Sequence, residues 1–87
     1  MRGPFPGREI GIAARLPGKA LIVWMCVHHQ CRLRRKEEVT LPATLLDKVG
    51  VRQMAKLRAL RYLEAAGLIA VIWEQGRPPR IRLRDAP

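Results

Sequence analysis

The spacing of apolar residues changes period along this chain, and each change marks an element. Across residues 19–33, Ala20, Trp24, Val27 and Cys31 follow the i, i+4, i+7, i+11 stripe of a helix. Leu21, Ile22, Val23, Met25 and Cys26 fill the remaining faces, so this helix is apolar almost all round and demands burial on more than one side. Either the N-terminal arm covers it, or a homodimer buries Leu21, Trp24, Met25, Val27 and His28 against a second copy; we expect the homodimer. Val39, Thr40 and Leu41 read as a short strand. Pro42 suits the first turn of a helix over 43–49, with Leu45, Leu46 and Val49 inward. Gly50 can take the positive φ that ends that helix, and Val51 fills the gap before the next. The next helix, 52–66, turns Ala55, Ala59, Leu60 and Leu63 inward and stops at Gly67.

From there the period becomes two. Ile69, Val71 and Trp73 alternate with Ala70, Ile72 and Glu74. Residues 75–79 form a turn, after which Arg80, Arg82 and Arg84 alternate with Ile81 and Leu83. The pattern predicts one α+β domain over 18–84: three helices, a short strand and a C-terminal hairpin. Residues 1–18 hold Pro4, Pro6, Pro17 and four of the seven glycines, so 1–17 read as an irregular arm with one helical turn near Glu9. Residues 85–87 are a tail.

Composition narrows the options. At 87 residues and 48% hydrophobic, the chain can form one small core. The apolar run 20–27 is too short to span a bilayer and is followed by no small-residue cleavage site, so neither membrane insertion nor export is expected. Cys26 and Cys31, five residues apart on a helix, point roughly 140° away from each other. No disulfide is expected between them, and a reducing cytoplasm suits both. The four side chains Cys26, His28, His29 and Cys31 cannot converge on a tetrahedral metal site from one helix. No metal or cofactor is therefore expected. The chain has no serine, no glycine-rich phosphate loop and no paired carboxylates, which argues against an enzyme.

The net charge is +10 and the pI about 11.3, which favours polyanionic partners. The 13 arginines, 4 lysines and missing serine and asparagine also fit a composition skew, so placement carries more than the total. Between 52 and 61, Arg52, Lys56, Arg58 and Arg61 stand with no acid. A helix with one apolar stripe and an uncompensated basic face suits a polyanion. The basic run Arg32, Arg34, Arg35, Lys36 reads equally as a solvated helix end offsetting the helix dipole or as a phosphate contact.

Leu45, Leu46, Asp47, Lys48, Val49, Gly50 and Val51, followed by the stretch from Arg58 through Leu60, Leu63, Glu64, Ala65 and Gly67 to Ile69, resemble the winged helix-turn-helix superfamily of bacterial regulators. The likeness is strongest to small stand-alone members from phages and integrative elements and extends over about residues 18–83. It implies that the 52–66 helix enters the major groove of DNA and that the hairpin, the wing, lies along the backbone or minor groove. On that resemblance the recognition positions are Arg52, Gln53, Met54, Lys56, Leu57, Arg58 and Arg61, and the wing positions Arg77, Arg80 and Arg82. Two departures stand out: Arg52 replaces a capping Ser or Thr, and Lys56 stands where many relatives bury Val.

Gln53 can bond an adenine and Arg52 a guanine in bidentate fashion, while Arg58, Arg61 and the wing arginines hold phosphates. Blander readings stand beside these. Arg61 can pair with Glu64 on the helix surface, the hairpin arginines can protect a sheet edge, and Tyr62 can be core or rim. The expected function is sequence-specific binding of double-stranded DNA by a homodimer in the nucleoid, as a small repressor of a mobile element. The alternatives are an accessory DNA-bending factor for recombination or replication initiation, a protein-interaction module, and an RNA binder.

Overall fold

The structure, a computed structural model, describes residues 7–84. The first six residues of the expected arm and the tail 85–87 lie outside them. The chain is α+β: α1 Gly7–Arg15, α2 Ala20–Arg34, β1 Glu38–Val39, α3 Ala43–Lys48, α4 Gln53–Ala65, β2 Ile69–Ile72 and β3 Arg80–Leu83. The strands form one antiparallel sheet in the order β1-β3-β2. Val39 opposes Ile81 across one ladder, and Val71 opposes Ile81 across the other.

α2 is the centre of the core. It packs on α1, α3, α4, β1 and β3, and buries Ala20, Val23, Trp24, Cys26, Val27 and Gln30. That enclosure answers the demand of a helix apolar on every side, and it corrects two expectations. The arm holds a nine-residue helix rather than a single turn, giving four helices instead of three. Ala13 of α1 is fully buried, with Ile10, Ile12 and Leu16 packed beside it against the core. Trp24 and Val27, 1% and 0% exposed, are consumed by the chain's own core and present nothing to a second copy. Leu21, Met25 and His28 are half-buried. Trp24 meets His28 edge-on, ring centroids 4.4 Å apart. Burial pushes the His28 imidazole below its ordinary pKa; Arg32 adds to that and Glu9 opposes it.

Two glycines close the helices that carry the candidate site. After α3, Gly50 takes φ +73°, its N–H bonding Asp47 O (3.2 Å) while Val51 N–H reaches Leu46 O (2.9 Å). After α4, Gly67 takes φ +78°, its N–H bonding Glu64 O (3.0 Å) while Leu68 N–H reaches Leu63 O (3.0 Å). Both are Schellman caps, with Val51 on Leu46 and Leu68 on Leu63 as buried apolar partners. α2 ends with the same reach-back, Lys36 N–H to Cys31 O at 3.2 Å, yet Arg35 occupies the left-handed position at φ 53°.

The strand β1 is Glu38–Val39, shifted toward the N-terminus from the expected 39–41. β3 is the central strand, so edge protection does not explain its arginines. No helix of the described residues is long and apolar enough to cross a membrane.

Candidate nucleic-acid interface

α4 sorts its side chains by helical period. Lys56, Ala59, Leu60 and Leu63, at i, i+3, i+4 and i+7, form the buried stripe. Arg52, Gln53, Met54, Arg58, Arg61 and Tyr62 are exposed, Met54 at 62%, and Leu57 is half-buried. Six of the seven recognition positions named from the sequence therefore retain solvent contact. Lys56 does not share their face. It lies on the core stripe, 6% exposed, and burial pushes its ammonium below the ordinary lysine pKa of 10.5.

Arg52 is the N-cap of α4 with extended backbone (φ −83°, ψ 165°), and no side chain caps the first turn. The first N–H groups of α4 are therefore open to an acceptor from outside, and the helix dipole favours an anion there. Arg58 stands one turn from Met54 on the same face and forms no ion pair among the described residues. Arg61 places its guanidinium over the Trp73 ring, 4.8 Å from the centroid. Trp73 Nε1–H donates to Glu64 Oε1 at 3.4 Å. The indole thus stands between Arg61 and Glu64 and ties the middle of α4 to the end of β2, and the Arg61–Glu64 pair of the blander reading is not among the ion pairs of the described residues. Pattern reading took Trp73 as a strand residue; its place in a contact with α4 has no local signature.

The hairpin arginines separate into two kinds. Arg77 is exposed at the turn and carries no ion pair among the described residues. Arg80 is bound to Glu74 (2.6 Å) and Glu38 (3.2 Å), and Arg82 to Glu37 (2.9 Å). These bridges match two of the three arginines that alternate along the last strand, while Arg84, exposed just past the end of β3, forms no ion pair among the described residues. Arg80 and Arg82 face acids brought beside them by β1 and by the hairpin itself, so most of their charge is already matched. Such exposed pairs add at most about 1 kcal/mol of stability each, but they remove the two cations from the set free to meet phosphate.

Arg52, Arg58, Arg61 and Arg77, which like several other cations form no ion pair among the described residues, belong to α4 and the hairpin turn, and between those two elements runs a cleft of about 590 Å³. Thr40, Gln53, Lys56, Leu57, Trp73 and Arg77 are among its lining residues, and none of the lining residues is acidic. Two other surface hollows each include an acid: Glu38 beside Arg80, and Glu37 beside Arg82. Cys26 is in the core and Cys31 lies 3.9 Å from the Glu37 carbonyl, and burial raises both thiols. Such thiols are poor nucleophiles and poor ligands. No protein-family model, curated protein or solved structure matches this chain.

Proposed function

We propose that this chain is a winged helix-turn-helix protein that binds double-stranded DNA, with α4 in the major groove and the β2–β3 turn against the backbone. The observation that carries the reading is the segregation of charge. Arg52, Arg58, Arg61 and Arg77 are left without acidic partners on α4 and the hairpin turn, whereas Glu37, Glu38 and Glu74 are gathered on Arg80 and Arg82. A rigid helix with uncompensated cations, beside an acid-free cleft, is complementary to a phosphate backbone. Gln53 and Arg52, exposed at the start of α4, are the side chains suited to base edges. Arg58, Arg61 and Arg77 are suited to phosphates. Control of transcription by occupying a promoter, as in a small mobile-element repressor, is the role proposed for such binding.

Trp24 and Val27 belong to the chain's own core and drop out of the proposed dimer interface, which leaves the half-buried Leu21, Met25 and His28 of α2 as the positions through which a second copy would pack. The test is fluorescence anisotropy of a random-sequence duplex pool titrated across a salt series. Binding whose log–log salt slope is about −4 or steeper supports the reading. Absence of binding at low salt overturns it.

A further inference from the structure

We propose that the cleft between α4 and the hairpin turn seats one backbone phosphate of duplex DNA, with Lys56 at its floor and Arg77 at its rim. The inference rests on the DNA-binding reading above and adds a specific anchor to it. Lys56 occupies a position that α4 otherwise gives to Ala59, Leu60 and Leu63, and it is 6% exposed. An apolar side chain would fill that position without the desolvation cost of an ammonium. Among the described residues no carboxylate offsets the charge: Lys56 makes no ion pair with any of them, and the lining of the cleft it enters contains no acid. A cation held in this way is complementary to an anion supplied from outside.

The surroundings define which anion. Thr40 and Gln53 bring neutral donors to the cleft and Arg77 a second cation, while Leu57, Trp73 and Pro79 form low-dielectric walls that strengthen attraction to a single negative charge. A tetrahedral phosphodiester carries one charge and two non-bridging oxygens, enough acceptors for an ammonium and a guanidinium together. Continuity favours a backbone phosphate as the source. The cleft opens beside Gln53 at the first turn of α4, on the helix that presents Arg52 and Arg58. A phosphate seated there fixes both the depth of α4 in the groove and the distance to the hairpin turn.

The test uses the full chain and a duplex it binds, with single methylphosphonate substitutions scanned along each strand. For the unaltered protein, one neutralised position is expected to weaken binding by tenfold or more. Lys56→Met keeps the length of the side chain and removes the charge. It is expected to fold, to lose about 0.9 from the magnitude of the salt slope, and to become indifferent to the methylphosphonate at that one position. Arg77→Ala, on an exposed turn outside the core, gives a second reading independent of core packing and is expected to lose sensitivity at the same position. A Lys56→Met protein with the unaltered slope and the unaltered phosphonate profile overturns the phosphate seat while leaving DNA binding intact. So does an Arg77→Ala profile altered only elsewhere. Failure of the unaltered protein to bind any duplex overturns the DNA reading itself, a result distinct from either.

Discussion

The arginines on two faces of this small molecule, the sheet and α4 with the hairpin turn, differ in the acids that stand beside them. On the sheet, Arg80 and Arg82 are matched by Glu38, Glu74 and Glu37. On α4 and the hairpin turn, Arg52, Arg58, Arg61 and Arg77 have no such partners among the described residues. Net charge does not distinguish the two faces, because it counts every arginine alike. The difference lies in where the acids fall among the described residues, with Glu37, Glu38 and Glu74 beside Arg80 and Arg82. It teaches that a basic chain is read for binding by locating its acids.

The most drastic way to break the contrast is to remove the scaffold that holds both faces. Trp24→Asp places a carboxylate at a fully enclosed site and is expected to cost more than about 4 kcal/mol, unfolding the chain. Circular dichroism is expected to show loss of helix. A folded, soluble variant would show that Trp24 is a surface residue after all.

The contrast itself is sharpened by paired substitutions. Arg58→Ala with Arg61→Ala is expected to reduce the salt slope of DNA binding by about 2. Arg80→Ala with Arg82→Ala is expected to change it by less than about 0.5, because those cations are already matched. Equal slopes for the two pairs would abolish the distinction between the faces.

A smaller effect concerns Lys56 in the free protein. Its folded pKa lies below 10.5, so between the lowered value and 10.5 the unfolded chain binds more protons than the folded one. Stability from this group therefore rises with pH through that window, as the penalty of the buried charge is relieved. Lys56→Met is expected to exceed the unaltered protein by about 1 kcal/mol at pH 7, and the gap is expected to narrow as pH rises toward 10.5. A gap independent of pH in denaturant titrations would mean that Lys56 is uncharged or solvated when folded. The smallest expected change is at Arg35. A left-handed conformation costs a non-glycine residue about 1 kcal/mol, and Arg35→Gly is expected to recover about that much in Tm or denaturant midpoint without affecting DNA binding.

Local patterns made the helix boundaries legible. Gly50 and Gly67 sit where a Schellman cap needs positive φ, so α3 and α4 end within a residue or so of the expected places. The α+β class and the hairpin followed from the change of period. What escaped was non-local. α1 was underestimated because Gly7, Gly11 and the flanking prolines lower helix propensity, while its packing against α2 is a tertiary effect. The same packing misdirected the reading of Trp24 and Val27, whose burial looked like a need for a second copy. Arg82 and Glu37 are 45 residues apart, and only the β1–β3 ladder brings them together. Lys56 stood out in sequence only through the resemblance, as a lysine where many relatives bury Val, and was grouped with the exposed recognition positions rather than with the buried stripe it joins. Its cleft, built from four separate segments of chain, was not visible in sequence.

The placement of the two tryptophans makes the molecule its own optical instrument. Trp24 is sealed in the core, whereas Trp73 is 38% exposed beneath the Arg61 guanidinium and beside the cleft. Emission from an enclosed indole lies to the blue of that from an indole in contact with water and charge. Unfolding is therefore reported chiefly by the blue component, and arrival of a polyanion at α4 by the red one, so a single spectrum can follow folding and occupancy separately without any added label.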